Sequence, residues 1–546
     1  MKIQYEEKII DVKEPMSIRK ILKDEIKEKK DQVIAAIFNN TYVNLEYEVC
    51  EDGKIELIYI DSKEGMKVYT RTLTYILGKA FDKIFPNKKM EVNYHLSNSM
   101  FCEMKEEIIT DEQIKALEKE MKEIVEKDLP IKQIIMTREE AEKFFEEHRM
   151  SSGRLQLDLK ENPKIYMYKC EDFYSYCYGT MADRTGIIKV FDLVKFNDGF
   201  LVRYPSSSDT NTLVDVMQSK KIAWAMDEYE DIHRILNVDR VYKLNKAIEE
   251  GRIKDVIMLA EALHEKKIAN IADNIAKRKD VKMVLIAGPS SSGKTTFAQR
   301  LGIQLKLNML KPVTISVDNY FVERKDNPKD ENGDYDFETI DAIDLKLFNS
   351  HLNKLLNGEE IEMPEFDFKV GKKVYKGKKL KLHDDEILVI EGIHCLNDKL
   401  TSSIRPEQKY KVYISALTVL NLDRLNRIST TDTRLIRRIV RDKQFRGYSA
   451  KDTIRTWNKV NAGERKNIFP FQEQADFIFN TSLIYEIGAL KPIVMPLLEE
   501  ITSKEREYAE AQRLINMLKY FEPIPKEYIP SNSLLKEFLG GGDFKY

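Results

Sequence analysis

Residues 281–305 constrain the fold more than any other part of the sequence. The apolar run at 284–287 predicts a buried parallel strand. The next residues, 288–295, are Gly-Pro-Ser-Ser-Ser-Gly-Lys-Thr and fit the pattern G-x-x-x-x-G-K-[ST]. The residues from Thr296 onwards have helical spacing, with apolar side chains four positions apart at Phe297, Leu301 and Leu305. A strand, a glycine-rich loop and a helix in this order predict a P-loop in an open α/β sheet.

The residue types of this loop suit phosphate binding. Gly288 and Gly293 permit backbone conformations that a side chain would forbid, so that successive N–H groups point at phosphate oxygens near the start of the helix. Lys294 is expected to reach the β- and γ-phosphates, and the Thr295 hydroxyl to ligate Mg²⁺. We therefore predict an ATP or GTP site, as opposed to a serine-rich turn with a stray lysine. The predicted nucleotide-binding residues are Gly288, Pro289, Ser290, Ser291, Ser292, Gly293, Lys294, Thr295 and Thr296.

Composition excludes several classes of protein. A length of 546 residues predicts roughly three or four domains. The net charge of −2 gives no global indication of nucleic-acid or membrane binding, although a local basic patch is compatible with it. The five cysteines are scattered without a C-x-x-C pair, which is typical of a reducing cytoplasm. The start lacks a signal peptide and no apolar run has the length of a membrane span, so we expect a cytoplasmic protein.

The N-terminal half predicts α+β structure. Residues 1–62 alternate short strands with a helix that begins near Ser17. Residues 63–205 contain two helices with capping boxes, followed by an aromatic-rich β segment at 166–178 and 187–204. Residues 206–280 look helical after a loop at 206–211 and connect to the P-loop strand. The two capping boxes are Thr110 with Gln113 and Thr137 with Glu140.

This half resembles the start of threonyl-tRNA synthetases. The matching stretches are YILGKAF at 75–81, MFCEM at 100–104, LEKEM at 117–121 and residues 174–203. The resemblance implies a TGS domain at 1–62 and an editing-type domain at 63–205. The zinc ligands of that family's editing site fall here on Arg71, Tyr75, Cys177 and Met181.

Only Cys177 keeps the residue type of such a ligand, and one cysteine does not supply the ligands of a zinc ion. We therefore expect a structural or regulatory role for the editing-type domain, with residual RNA binding and editing chemistry as the alternatives. Cys177 itself is expected to be a packed thiol and not a nucleophile.

Two further strands of the C-terminal half end in carboxylates. Residues 312–317 predict a second buried strand that leads into Asp318, and residues 387–391 predict a third, central strand that ends at Glu391. The carboxyl ends of parallel strands border the ligand crevice of an open α/β sheet. Asp318 is therefore the predicted base for a hydroxyl acceptor, and Glu391 the predicted support of a Mg²⁺ water shell.

An arginine-rich helix is predicted at 432–442. Arg434, Arg437, Arg438 and Arg441 share one face, whereas Ile436, Ile439 and Val440 face the other way. Guanidinium groups on one stripe repel each other unless an anion lies among them. We therefore predict a lid that clamps phosphate, in preference to a solvated face.

These motifs, in this order, resemble the uridine kinase/phosphoribulokinase family over about 281–500. They are GPSSSGKTT, VDNYF, YDFETIDAID, PEFDF, VIEGIH and DTRLIRRIVRD. The resemblance implies that Asp318 is the catalytic aspartate, that Arg434 and Arg437 hold phosphates, and that Tyr320 contacts the substrate. Glu338 falls at a ribose-binding position, Phe366 at a base-contacting tyrosine, and Gly371 at a histidine that reads the pyrimidine. Because these acceptor-side positions depart from the family pattern, uridine itself is less well supported than ATP.

The expected fold is an α/β P-loop kinase domain at 281–500, a parallel sheet flanked by helices, preceded by the TGS-like and editing-like α+β domains and the helical connector. Residues 501–546 form a C-terminal extension whose role the sequence does not predict. The expected function is transfer of the γ-phosphoryl of ATP, with Mg²⁺, to a small-molecule hydroxyl, with a nucleoside as the first candidate. The alternatives are a sugar phosphate acceptor, with Lys369, Lys372 and Lys373 nearby, and a tRNA-associated nucleotide switch that uses the N-terminal half. A homo-oligomer is compatible with either.

Overall fold

The protein is described from a computed structural model. The structure describes residues 1–29, 32–147, 156–157, 164–214, 220–329, 333, 335–367, 370–418 and 420–545. In this part of the chain, no helix combines the length and the apolarity that crossing a membrane requires.

The chain begins with a small mixed sheet. Its strands have the order β2-β1-β7-β4-β5, with β1 parallel to β7 and the other pairs antiparallel. The predicted helix after Ser17 is present but is interrupted at Leu22, whose backbone leaves the helical region. Ile18 of this helix and Ile3 and Ile55 of the sheet are completely buried in one core. The elements are β1 (Lys2–Tyr5), β2 (Lys8–Asp11), β3 (Met16–Ser17), α1 (Ile18–Ile21), α2 (Lys23–Glu28), β4 (Val33–Phe38), β5 (Thr41–Val43), β6 (Glu48–Val49) and β7 (Gly53–Tyr59).

The next region packs a long helix and a capped helix against a sheet of order β13-β14-β9-β8. Both predicted capping boxes are confirmed, because the side chain and backbone of Thr110 and Gln113, and of Thr137 and Glu140, bond reciprocally. A smaller sheet has the order β10-β11-β12. The elements are α3 (Lys63–Ile84), β8 (Met90–His95), β9 (Ser99–Met104), α4 (Asp111–Glu126), β10 (Lys132–Thr137), α5 (Arg138–Glu147), β11 (Lys164–Cys170), β12 (Phe173–Ser175), β13 (Asp192–Phe196) and β14 (Gly199–Arg203).

The helical character predicted for 206–280 is confirmed from Lys220 onwards. The predicted loop at 206–211 lies instead in a short hairpin, where polar side chains support the turn. The elements are β15 (Pro205–Ser206), β16 (Asp209–Leu213), α6 (Lys220–Ile235), α7 (Val241–Glu249) and α8 (Ile253–Lys277).

A parallel sheet of order β18-β21-β17-β22-β23 forms the centre of the C-terminal half. All five residues of β17 are buried, as its apolar run predicts. The prediction that β18 is buried is wrong, because β18 is the edge strand and Lys311 and Thr314 are exposed. The first elements here are β17 (Met283–Ala287), α9 (Lys294–Leu307), β18 (Lys311–Ser316), α10 (Leu345–Leu356), β19 (Ile361–Asp367), β20 (Lys372–Leu380), β21 (Glu386–Glu391) and β22 (Lys409–Ser415).

The remaining helices surround this sheet, and the C-terminal segment returns to its centre. Leu534 of that segment contacts Gly293, at the start of α9. The elements are α11 (Thr430–Arg441), α12 (Ala450–Asn467), β23 (Phe477–Asn480), α13 (Glu486–Glu499), α14 (Tyr508–Leu518) and α15 (Lys536–Leu539).

Residues 420–427 join the two halves of the molecule. Leu425 packs against α3, where a Cβ on Gly78 would lie 2.8 Å from its side chain. Arg424 forms a two-pronged ion pair with Asp82 at 2.8 and 3.1 Å. Leu425 thereby belongs to the apolar core of the N-terminal half.

Candidate active site

The phosphate loop, residues 288–293, follows the central strand β17 at the carboxyl end of the sheet. Ser291 and Gly293 have positive φ angles of 59° and 84°, which turn the backbone inward. A Cβ on Gly288 would lie 2.2 Å from the Ile414 carbonyl oxygen, so this position requires glycine. Within the described residues, the buried hydroxyls of Ser291 and Ser292 have no hydrogen-bond partner. The loop therefore retains polar groups that a bound anion can satisfy.

Lys294, Thr295 and Glu391 lie together beneath this loop. The Lys294 ammonium donates to the carbonyl oxygens of Gly288 and Pro289 at 2.8 and 3.2 Å. Burial lowers the pKa of Lys294, and the carboxylates of Glu391 and Asp318 oppose that shift. The Thr295 hydroxyl donates to Glu391 at 3.3 Å. The predicted metal-binding pair is thus adjacent, and its two oxygen donors fit Mg²⁺, which prefers few protein ligands and retains water.

Asp318 lies in a short 3₁₀ turn, Val317–Tyr320, directly after β18. Its side chain is open to solvent on one side. The protein crowded around the other side raises the pKa of Asp318, and the positive charges of Lys294 and Arg446 oppose this. An accessible carboxylate beside the phosphate-loop lysine is positioned to receive a proton from a hydroxyl.

Glu338 belongs to the same group of charges. Burial, and then the nearby Glu464 carboxylate, raise the pKa of Glu338 to about 7, while Arg438 and Lys294 oppose the shift. The structure therefore brings together Lys294, Asp318, Glu338 and Glu391, which the sequence distributes over about a hundred residues.

The structure shows the contacts of three residues that the sequence assigns to the acceptor side of the site. Tyr320 has no exposed surface, and its hydroxyl lies 3.1 Å from Nδ1 of His351, in place of the predicted substrate contact. Phe366 is buried against Phe321 with a ring separation of 5.6 Å. Gly371 has a φ of 75° in the turn of the β19–β20 hairpin. The β19–β20 hairpin thus packs against the 3₁₀ turn that carries Asp318.

The arginine face of α11 is neutralised by the protein itself. Arg434 pairs with Glu464 and donates to the Ser290 carbonyl oxygen at 2.9 Å. Arg437 pairs with Glu486 at 2.6 Å and donates to the Thr481 carbonyl oxygen at 2.8 Å. The premise that these arginines repel each other without an external anion is therefore wrong, whereas the phosphate contact of Arg434 and Arg437 stays a prediction.

The opposite, apolar face of α11 is also buried, including Ile436 and Ile439. Arg438 donates to the Ser290 hydroxyl at 2.9 Å. In this structure α11 is an internal helix that holds the phosphate loop, and it is not an open lid.

Sequence reasoning missed three carboxylates of this site. Glu464 accepts a hydrogen bond from the Ser290 N–H at 2.7 Å, and Glu486 neutralises Arg437. Glu537 of α15 accepts from the Thr296 hydroxyl at 2.7 Å and from the Thr296 N–H at 3.4 Å. The apolar spacing of Leu534, Leu535, Phe538 and Leu539 indicates a buried turn in the tail, but no motif indicates where it docks.

The synthetase-like positions also converge. Arg71, Tyr75, Cys177 and Met181 line one cavity of about 980 Å³. The Tyr75 hydroxyl donates to the carbonyl oxygens of Tyr168 and Phe173 at 3.2 and 3.0 Å. Burial raises the pKa of the Cys177 thiol, although Arg71 opposes this, so the thiol stays protonated at neutral pH.

Comparison with known proteins divides the chain into the same two parts. Residues 283–485 match the family model described as Phosphoribulokinase / Uridine kinase family. The N-terminal half matches threonine–tRNA ligases. The ligase of Carboxydothermus hydrogenoformans is 28% identical over 165 residues, which cover 30% of this chain and 26% of that protein. The ligase of Desulforamulus reducens is 30% identical over 165 residues, with the same coverage. The chain thus spans about a quarter of the length of the curated relatives it matches.

Among solved structures, a possible uridine kinase from Bacillus stearothermophilus aligns with 39% of this chain and 100% of its own, with 16% identity and a TM-score of 0.26. Residues 283–485 are thus similar to the phosphoribulokinase/uridine kinase family, and the N-terminal half of the same chain is similar to threonine–tRNA ligases.

Proposed function

We propose that this chain is an ATP- and Mg²⁺-dependent kinase that phosphorylates a hydroxyl of a small molecule, with a nucleoside as the first candidate acceptor. The observation that supports this most directly is the position of Asp318. Its accessible carboxylate interacts with Lys294 of the phosphate loop, at the same end of the parallel sheet. Phosphoryl transfer needs a phosphate cradle and a group that orients or deprotonates the acceptor hydroxyl, and these residues supply both.

Each residue has a distinct role in this proposal. The backbone of the phosphate loop and the Lys294 ammonium hold the β- and γ-phosphates, so that the reacting phosphorus faces Asp318. Asp318 takes the proton of the acceptor hydroxyl. Thr295 and Glu391 would hold Mg²⁺, which supplies positive charge to the phosphates when it is bound.

Glu338 is the proposed contact for the ribose hydroxyls. Because the pKa of Glu338 is raised to about 7, its carboxyl group both donates and accepts hydrogen bonds near neutral pH. A diol offers both donors and acceptors, so this property favours a sugar-containing acceptor.

The acceptor is tested by ADP production with ATP and Mg²⁺ across nucleosides, pentose phosphates and tRNA. We expect stimulation by one nucleoside, and loss of that stimulation in Lys294→Ala. ADP formation that is equal with all small molecules and rises only with tRNA would overturn the proposal and favour a nucleotide switch.

A sugar phosphate remains the second acceptor class because Lys372 is exposed on β20. Lys373 forms an ion pair with Asp344, the residue that caps α10, and Lys369 lies outside the described residues. Stimulation by a pentose phosphate that is lost in Lys372→Gln would select this class over nucleosides.

We also propose the domain limits that the sequence predicts: TGS-like 1–62, editing-like 63–205, connector 206–280, kinase 281–500 and extension 501–546. Limited proteolysis with mass spectrometry tests them, because cleavage should concentrate at these limits.

A further inference from the structure

The cavity beside Arg71, which we name the interface cavity, lies between the two halves of the molecule. Arg71, His95 and Cys177 line it from the N-terminal half, and Thr430 and Trp457 line it from the kinase half. A second cavity, of about 1280 Å³, adjoins it. The residues that line both cavities are Tyr42, Arg71, Tyr176, Cys177, Tyr178 and Arg513.

Arg71 is a half-buried cation in the shared wall. Its guanidinium lies against Gly179 and donates to the Thr180 carbonyl oxygen at 3.3 Å. It forms no ion pair with a carboxylate anywhere in the part of the chain that the structure describes. The charge of Arg71 lowers the pKa of Glu510, but Glu510 forms its ion pairs with Lys67 and Arg513. A partly desolvated guanidinium that forms no ion pair of its own favours binding of an anion beside it.

Further cations surround the mouth of the interface cavity. Arg465 of α12 and Arg506, just before α14, are exposed and likewise form no ion pair with described residues. Burial and the charge of Arg465 lower the pKa of Lys63, which also lines the cavity. The unpaired positive charge therefore comes from separate elements that converge on one space.

Most carboxylates in the lining already form ion pairs with other arginines. Asp432 and Glu510 pair with Arg513 at 2.6 and 2.7 Å, and Glu507 pairs with Arg455 at 2.8 Å. Glu64 accepts a hydrogen bond from the Asn458 amide at 3.4 Å. Arg71, Arg465 and Arg506 remain as the cations available to a ligand.

We propose that the interface cavity binds a phosphorylated ligand, with Arg71 as its anchor and with Arg465 and Arg506 at its mouth. Several separated guanidinium groups match the multiple charges and the oxygen geometry of a phosphate ligand better than they match a ligand with a single carboxylate. The first turn of α11, at Thr430, adds a positive helix end to the same wall. Because Arg434 of α11 also holds Ser290, one rigid helix separates this ligand from the phosphate loop.

The test uses the full chain with Lys294→Ala, which weakens phosphate binding at the phosphate loop. Equilibrium dialysis with radiolabelled pyrophosphate should give one site per chain. Adding Arg71→Gln should weaken that site at least tenfold, whereas Arg71→Lys should retain part of the affinity. Lys83→Gln is the matched control, since Lys83 lies on the same helix, pairs with Glu120 and is absent from the lining of either cavity.

Unchanged pyrophosphate affinity after Arg71→Gln would overturn the proposal. If Arg71→Gln lowers the melting temperature so far that the chain is not folded, the double variant Arg465→Gln, Arg506→Gln is used to test the proposal instead. Both residues are exposed, and we expect their joint loss to weaken binding by about tenfold or more. Full affinity in that variant would equally contradict the proposal.

Competition identifies the source of the phosphate. AMP represents a free nucleotide, and a short single-stranded RNA represents a nucleic-acid backbone. We expect one of these probes to displace pyrophosphate from the Lys294→Ala protein but not from the double variant Lys294→Ala, Arg71→Gln. The probe that does so identifies the source of the phosphate. Identical displacement in both proteins would show that the probe binds elsewhere and would reject the site.

Discussion

The arginines of α11 and the arginines around the interface cavity differ in what neutralises them. Arg434 and Arg437 are almost completely buried, and each contacts a carboxylate of the same chain. Arg71 is only half-buried and contacts a single carbonyl oxygen among the described residues. A cluster of arginines in the sequence is therefore not by itself evidence of a ligand site. The position of the carboxylates decides whether an arginine stabilises the fold or remains available to an anion.

The variant with the largest expected effect tests whether phosphoryl transfer takes place beside the phosphate loop. Asp318→Asn should lower turnover by about 10²–10⁴-fold, the usual span for a general base, with ATP binding retained. Steady-state kinetics and ATP titration measure the two quantities. Asp326→Asn, in the next exposed turn, is the control and should keep full turnover. Near-normal turnover in Asp318→Asn would remove this residue from the proposed role.

The second prediction compares a paired arginine with an unpaired one. Arg437→Gln leaves the Glu486 carboxylate buried without a cation, so the free energy of unfolding should fall by about 3–5 kcal/mol. Arg71→Gln removes no ion pair and should cost less than about 1 kcal/mol. Urea unfolding of both variants gives the difference. Equal losses would contradict the distinction between the two arginine sets.

The third prediction concerns Glu338, whose pKa is raised to about 7 from 4.5 by folding. A raised folded-state pKa means that the contribution of Glu338 is fully present below about pH 4.5 and is lost as pH rises through about 7. Glu338→Gln removes this loss, so the variant should be more stable than the wild type above pH 7, by on the order of 1–3 kcal/mol. Urea unfolding at acidic and alkaline pH tests this, and a wild type that is the more stable protein above pH 7 would refute it.

The smallest effect concerns the tail. Glu537 places a negative charge on the Thr296 N–H and hydroxyl, at the positive start of α9 where phosphate is expected. Glu537→Gln should therefore lower KM for ATP by about tenfold, equivalent to about 1.4 kcal/mol. Glu527→Gln, an exposed change in the same tail, is the control. A KM that stays the same or rises would show that Glu537 does not compete with the nucleotide.

Local patterns predicted the parts of the site that depend on neighbouring residues. The apolar run of β17, the glycines at 288 and 293 and the helical spacing of α9 each follow from backbone requirements within a few positions. The position of Asp318 after β18 followed in the same way. The burial of β18 did not, because an apolar run does not reveal which strand lies at the edge of a sheet.

The remaining features depend on contacts that are distant in sequence. Glu464 and Glu486 lie 30 and 49 residues from the arginines that they neutralise, and Glu537 lies 241 residues from Thr296. Such pairs leave no periodic signal in one sequence. Tyr320 belongs to a recognisable motif, but the 3₁₀ turn directs its side chain inward, which strand alternation does not predict.

The loop at 420–427 has a consequence for how the protein unfolds. Leu425 and Arg424, from the kinase half, complete the core and the charge balance around α3. Separating the halves would expose Leu425 to water and leave Asp82 without its cation. We therefore expect the two halves to be coupled in unfolding, so that loss of structure in one half lowers the stability of the other.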